Sequence, residues 1–215
     1  MHALARRLPD LDSGTLLSWA AVLNAEILVT LAYVVLAPSI PTDPLTYVYP
    51  WVWLNVAAWG VLRVRPSPTP GRVRWLAAAV GVAYFLVVGY AGGLYHLSGA
   101  GLGFSLHWLP PGWGPAPVYS ADGLTVVLMP FKLGGYAALA YLVSVTVRDA
   151  SASALSGVLG LVSCVSCTWP ILATVATGLF GSASALTSVA MTEAYGISTV
   201  VFVVSVLALV WRPTR

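Results

Sequence analysis

Six blocks of apolar residues, separated by short polar or Gly/Pro-rich segments, set the pattern of this chain: Thr15 to Ala37, Tyr47 to Leu62, Val73 to Tyr95, Leu124 to Val147, Ser153 to Gly178 and Ser188 to Trp211. All but the second reach the ~20 residues that an α-helix needs to cross ~30 Å of hydrocarbon. The second is shorter, but it opens with Tyr47, Tyr49, Trp51 and Trp53, rings of the kind that sit at headgroup level. Pro50 is read as lying in its first turn, where a missing N–H costs little. No block alternates apolar and polar residues as a barrel strand would. The pattern predicts an all-α integral membrane protein, a bundle of about six transmembrane helices forming a single polytopic domain over residues 1–215.

Composition agrees with the blocks. Hydrophobic residues make up 59% and charged residues 8%, against ~45–50% and ~25% in soluble domains. The formal charge of +3 does not point to nucleic acid, because the basic residues form no run and fall in short segments between the blocks. Residues 1–14, with Arg6 and Arg7, precede an apolar run longer than the ~7–15 residues of a signal-peptide core. That run also contains Glu26 and is not followed by a small-residue cleavage site, so a retained first span is expected.

The arginines orient the spans. Eight (Arg6, Arg7, Arg63, Arg65, Arg72, Arg148, Arg212 and Arg215) lie outside the blocks and the ninth, Arg74, is the second residue of the third block, and six crossings put every one on the same side. The opposite side receives Pro38 to Thr46, His96 to Gly123 and Ser182 to Thr187, which contain no lysine or arginine. The positive-inside rule then places both termini in the cytoplasm and the protein in the cell membrane. His96 to Gly123 becomes the one long external loop. It carries His96, His107, Trp108, Trp113 and Tyr119 and is expected to lie partly in the interface.

Three further ionisable residues fall within the blocks: Glu26 in the first, Lys132 in the fourth and Glu193 in the sixth. Intramembrane charges are costly and usually face a partner or a watery cavity. Counted from Leu124, Lys132 is ~12 Å below the outer surface, a depth that suits pairing with Glu193, with the deeper Glu26 as the alternative. Such a set serves either a proton or ion relay or a structural pair joining helices. Gly89 and Gly93 form a GxxxG in the third block, and Gly134 with Gly135 relieve crowding in the fourth.

Cys164 and Cys167 are the only cysteines, and at i and i+3 on a helix they share a face. That spacing suits a disulfide or two thiolates on one soft metal ion. Pro170 frees the Ser166 carbonyl beside them and marks a helix kink. Packing is the plain alternative, since cysteine, serine and glycine are common at membrane helix contacts. His96 and His107, with Asp122, lack the tight spacing of a zinc motif and read as interfacial side chains.

The stretches Met129-Pro-Phe-Lys-Leu-Gly-Gly-Tyr-Ala-Ala-Leu-Ala-Tyr-Leu-Val143 and Cys164-Val-Ser-Cys-Thr-Trp-Pro-Ile171 resemble an uncharacterised family of multi-pass membrane proteins from halophilic archaea. The resemblance implies a polytopic fold and carries no activity. Vitamin K epoxide reductase-like enzymes pair a membrane dithiol with a second cysteine pair, which this chain lacks. A redox role here would exchange electrons directly with a partner or a quinone. The expectations are therefore a membrane protein using Cys164 and Cys167 for dithiol exchange or Cu(I) handling, a noncatalytic subunit or assembly factor, or a small proton-coupled transporter using Glu26 and Glu193. The expected partners are the lipid bilayer and a membrane protein or a second copy, with no nucleic acid.

Overall fold

The computed structural model describes residues 13–37, 41, 43–97, 101–152 and 185–211, with the backbone alone for 150–152 and 185–194. The chain divides into two units, Met1–Thr42 and Asp43–Arg215. The first contains α1 (Ser13–Leu36), which has no buried residue. The second contains α2 (Leu45–Arg63), α3 (Gly71–Ala91), β1 (Tyr95–His96), β2 (Gly103–His107), β3 (Ala116–Ala121), β4 (Leu124–Val127), α4 (Pro130–Ala152) and α5 (Ala185–Val210). Among the described residues three stretches, Ser13–Leu36, Gly71–Ala91 and Pro130–Asp149, are long and apolar enough to cross a membrane. The block from Ser153 to Gly178, with Cys164, Cys167 and Pro170, lies outside the described residues.

The protein is mostly helical but not all-α. The expected external loop folds into a four-stranded antiparallel sheet of order β1-β4-β3-β2. Its second hairpin turns through Asp122 and Gly123, between the paired residues Ala121 and Leu124. Gly123 takes φ +84°, a conformation in which a Cβ would be strained. Leu124 to Val127, rich in β-branched side chains, pairs with β3, so the fourth helix starts at Pro130 and not at Leu124. Proline suits a first helical position, because the amide it lacks would have no partner there.

The third helix ends at Ala91, four residues before the expected limit at Tyr95. Leu94 N–H donates to Gly89 O at 2.8 Å and Gly93 N–H to Tyr90 O at 3.1 Å, while Gly93 adopts φ +77°. This is a Schellman end with glycine at its left-handed position. Gly89 and Gly93 are thus not a helix-contact pair: Gly93 terminates α3, and Gly89 makes room for the side chains of Leu94 and Tyr95.

Pro50 is the sixth residue of α2, not a first-turn residue, and it is buried. Having no N–H, it leaves the Thr46 carbonyl without its usual helical donor. The indole of Trp113, from the segment between β2 and β3, donates to that carbonyl at 2.7 Å. Gly112, at φ +85°, stands so close to Pro50 that a side chain there would collide with the ring.

Trp53 organises the helix contacts. Its ring stacks on Phe202 of α5 at 4.1 Å and meets Phe131 and Tyr136 of α4 edge-on, each at 5.6 Å. Its indole donates to Thr199 Oγ1 at 2.9 Å. Aromatic pairs of this kind contribute about 0.5–1.5 kcal/mol each beyond area burial. Further along, Gly60 of α2 lies beside Leu142 of α4 and Val206 of α5, so α2, α4 and α5 run parallel. The third helix runs against them, with Gly92 beside Tyr136 and Gly81 beside Ala140 and Ser144. A Cβ on Gly81 would stand 2.9 Å from the Ala140 carbonyl oxygen, which marks the close approach of α3 and α4.

Arg63, Arg65, Arg72 and Arg74 flank the link between α2 and α3, and Ser67 of that link donates to Asp149, next to Arg148, at 2.8 Å. These five arginines therefore share one end of the unit, and the sheet occupies the other.

Gly135 faces the Trp53 ring and Phe202, whereas its neighbour Gly134 faces only the flexible end of Leu54. Gly135→Ala should therefore destabilise the fold by about 1–3 kcal/mol through overpacking. Gly134→Ala should stay within about 1 kcal/mol of the parent, because the helix preference of alanine offsets the small displacement. Unfolding of the purified chain by SDS in mixed micelles measures both.

Candidate functional site

Lys132 is the third residue of α4, so it stands at the sheet end of the helix, not a third of the way along it as counting from Leu124 implies. The first turn of α4 is fixed locally. Phe131 N–H donates to Gly112 O at 3.0 Å, and Leu133 N–H to Met129 O at 2.9 Å. Within its own helix the lysine is poorly placed, because the N-terminal end of the macrodipole is positive. The neighbouring helix corrects this. Lys132 Nζ donates to Gly92 O at 2.9 Å, a carbonyl at the negative end of α3.

Aromatic rings close the other side. Lys132 Nζ lies 5.7 Å from the centroid of Tyr195 in α5, within the ~6 Å range of a cation–π contact. Trp113 meets Tyr195 edge-on at 5.0 Å and Phe131 at 4.7 Å. Gly92 admits the Tyr136 side chain so closely that a Cβ there would overlap its hydroxyl. The ammonium thus joins α3, α4 and α5 at the sheet end of the bundle. It has three N–H donors, one of which is used by Gly92.

Of the three ionisable residues expected within the spans, Lys132 is the one whose side-chain contacts this geometry sets out. Glu193 belongs to α5, two residues before Tyr195, but its side chain lies outside the described residues. Glu26 lies in α1, in the other unit, where its carbonyl accepts the Thr30 hydroxyl at 2.8 Å. His96 and His107 occupy the two outermost strands, with β4 and β3 between them. Three strand spacings, ~14 Å, keep them from sharing a metal ion. Among the described residues no group of three His, Cys, Asp or Glu side chains could hold a metal ion. Asp122 Oδ1 accepts the Gly101 N–H at 3.2 Å across the base of the sheet turn.

Sequence reasoning did not single out Gly92, Tyr136, Tyr195 or Gly81, and it read Trp113 only as interfacial. A signal existed for one of them: a buried proline in a helix calls for a donor to its freed carbonyl, and the external segment holds few indoles.

A second feature lies between α3 and α4, where Ala78, Gly81, Ala137, Ala140, Tyr141 and Ser144 line an open groove of ≈ 290 Å³. Its lining is mostly small and apolar, and Ser144 turns its hydroxyl back to the Tyr141 carbonyl at 2.7 Å.

The family model described as "Family of unknown function (DUF7546)" matches residues 1–215. The chain belongs to this family. No curated protein and no solved structure matches it. Family membership therefore brings no substrate or reaction to the site around Lys132.

Removing the ammonium while keeping the apolar stem isolates its contribution. Lys132→Met should cost about 1–2 kcal/mol in the same SDS titration, from the lost charge-assisted bond to Gly92 and the lost helix-end interaction. Lys132→Arg should recover part of that stability.

Proposed function

We propose that the chain is a six-span protein of the cell membrane, with both termini cytoplasmic, that serves as a noncatalytic subunit or assembly factor of a membrane complex. Lys132 carries this reading. Its charge is engaged by a helix-end carbonyl and a ring, an arrangement suited to joining helices.

The run of the helices supports six crossings. With α2, α4 and α5 parallel, α4 ends on the arginine side, whereas α5 begins on the sheet side. The gathering of Arg63, Arg65, Arg72, Arg74 and Arg148 opposite the sheet supports a cytoplasmic location for that end.

Dithiol exchange or Cu(I) handling through Cys164 and Cys167, with a quinone or protein partner taking up electrons, is the second reading, favoured by the CxxC spacing alone. A proton-coupled transporter using Glu26 and Glu193 is the third.

Two experiments separate these. An epitope inserted after Gly101 should bind antibody on intact cells, and one at the C-terminus only after permeabilisation; the reverse pattern would invert the topology. The Cys164→Ser/Cys167→Ser chain should retain parental abundance and co-purify with the same membrane partner, or second copy, in mild detergent. Loss of bound copper, or of a reductant-sensitive thiol signal, on that substitution would overturn the assembly reading in favour of the dithiol. Glu26→Gln should leave co-purification unchanged.

A further inference from the structure

The register of the external sheet sorts its side chains into two unlike faces. Tyr95, Val126, Tyr119 and Phe104 form one cross-strand row, because Tyr95 pairs with Val126, Val126 with Tyr119 and Tyr119 with Phe104. Leu106 and Leu124 lie on the same face by strand alternation. The next row, on the opposite face, is His96, Thr125, Ser120 and Gly103, joined there by Ser105 and His107 and, toward the helices, by Val118, Val127 and Ala116. That face is bound by its own polar contacts. Ser105 Oγ lies 3.1 Å from His107 Nε2, and Thr125 Oγ1 lies 3.5 Å from Ser120 Oγ.

The apolar face is open. Phe104 is 71% exposed, Tyr119 50% and Leu106 46%. Tyr95, at the opposite edge of that face, shows which way it looks. Its hydroxyl donates to the Leu86 carbonyl, more than a turn back along α3, and its ring lies against Tyr90. Leu86 and Tyr90 are themselves about half exposed, on a helix apolar enough to cross a membrane. The open face of the sheet therefore continues the outward surface of α3.

We propose that this face rests on the outer lipid leaflet of the membrane that the helices cross, with Phe104, Leu106 and Tyr119 among the acyl-chain ends and headgroups and the His96–Ser105–His107 face in water. The inference rests on the membrane reading above. Depth is limited by the backbone. The outer side of β2 has no strand partner in the sheet, and unpaired strand groups are not tolerated in hydrocarbon. The sheet therefore lies at headgroup level; residues 95–127 hold no lysine or arginine and one carboxylate, Asp122 in the β3–β4 turn, so the apolar row itself carries no charge that would favour water.

Spin labels distinguish lipid, water and protein surroundings. In a Cys164→Ser/Cys167→Ser background reconstituted into phosphatidylcholine–phosphatidylglycerol vesicles, single cysteines at Phe104, Leu106 and Tyr119 should be more accessible to oxygen than to a water-soluble nickel chelate. Cysteines at Ser105 and Ser120 should show the opposite preference, so the sign alternates along β2. A cysteine at Val82 of α3, which is 60% exposed, is the control for the membrane itself. Lipid character at Val82 with water character at Phe104, Leu106 and Tyr119 overturns the sheet proposal alone. Low accessibility to both reagents at those three positions means that protein covers the face, from this chain or another copy, and also overturns it. Water character at Val82 overturns the membrane reading and the sheet proposal with it. Should the cysteine-free background fail to fold, p-benzoylphenylalanine at position 104 of the otherwise unaltered chain is expected to photo-crosslink to lipid; adducts only to protein, or none, would sink the idea.

Discussion

A backbone carbonyl taken out of water without a donor is costly, and that constraint explains the sheet end of this protein. Pro50 deprives Thr46 of its helical donor, and Trp113 supplies an indole N–H. The third helix ends in glycines, and Lys132 reaches over to Gly92. Tyr95 adds its hydroxyl to Leu86. At the arginine end Tyr141 does the same for Val64 at 3.3 Å. Each donor comes from a different element than its acceptor. Satisfying the backbone therefore ties α2 to the sheet-forming segment, α3 to β1 and α4, and the α2–α3 link to α4.

These ties work because the helices already meet. Trp53 fills the space between α2, α4 and α5, and Gly135 is small enough to let the ring lie against the helix that carries it. Phe131 meets that ring edge-on and in turn packs against Trp113, which meets Tyr195. The aromatic stack and the polar tethers are thus successive layers of one arrangement. Burial of the rings sets the distances, and the donors then use them.

The helices were largely legible in the sequence and the sheet was not. Long apolar runs average to a strong signal, so the limits of α1, α2 and α5 fell within a few residues of those expected. Leu124 to Val127 is also apolar and joins the helix after it without a polar break, so hydropathy merged a strand with a span. Local chemistry separated them: Asp122-Gly123 ahead of β-branched residues marks a hairpin, and Pro130 marks a helix start. Missing those two marks displaced Lys132 inward by more than a turn. The glycines of α3 misled for a related reason, since Gly89 and Gly93 match a helix-contact spacing while one of them ends the helix. The packing partners of Lys132 were beyond reach, because Gly92 and Tyr195 are far from it in the chain and meet only through the fold.

On the membrane reading proposed above, Lys132 also bears on how the chain would be inserted. It is the only lysine in the chain and stands at the end opposite Arg63, Arg65, Arg72, Arg74 and Arg148, so during synthesis its charge would argue against the orientation that those arginines favour. Delivery to the translocon of α4 by itself would leave that opposition unanswered. With α3 already in place, the ammonium finds the Gly92 carbonyl waiting, and the conflict disappears. On that reading biogenesis would be coupled to order: the hairpin formed by α3, the sheet and α4 would gain from being inserted as one piece.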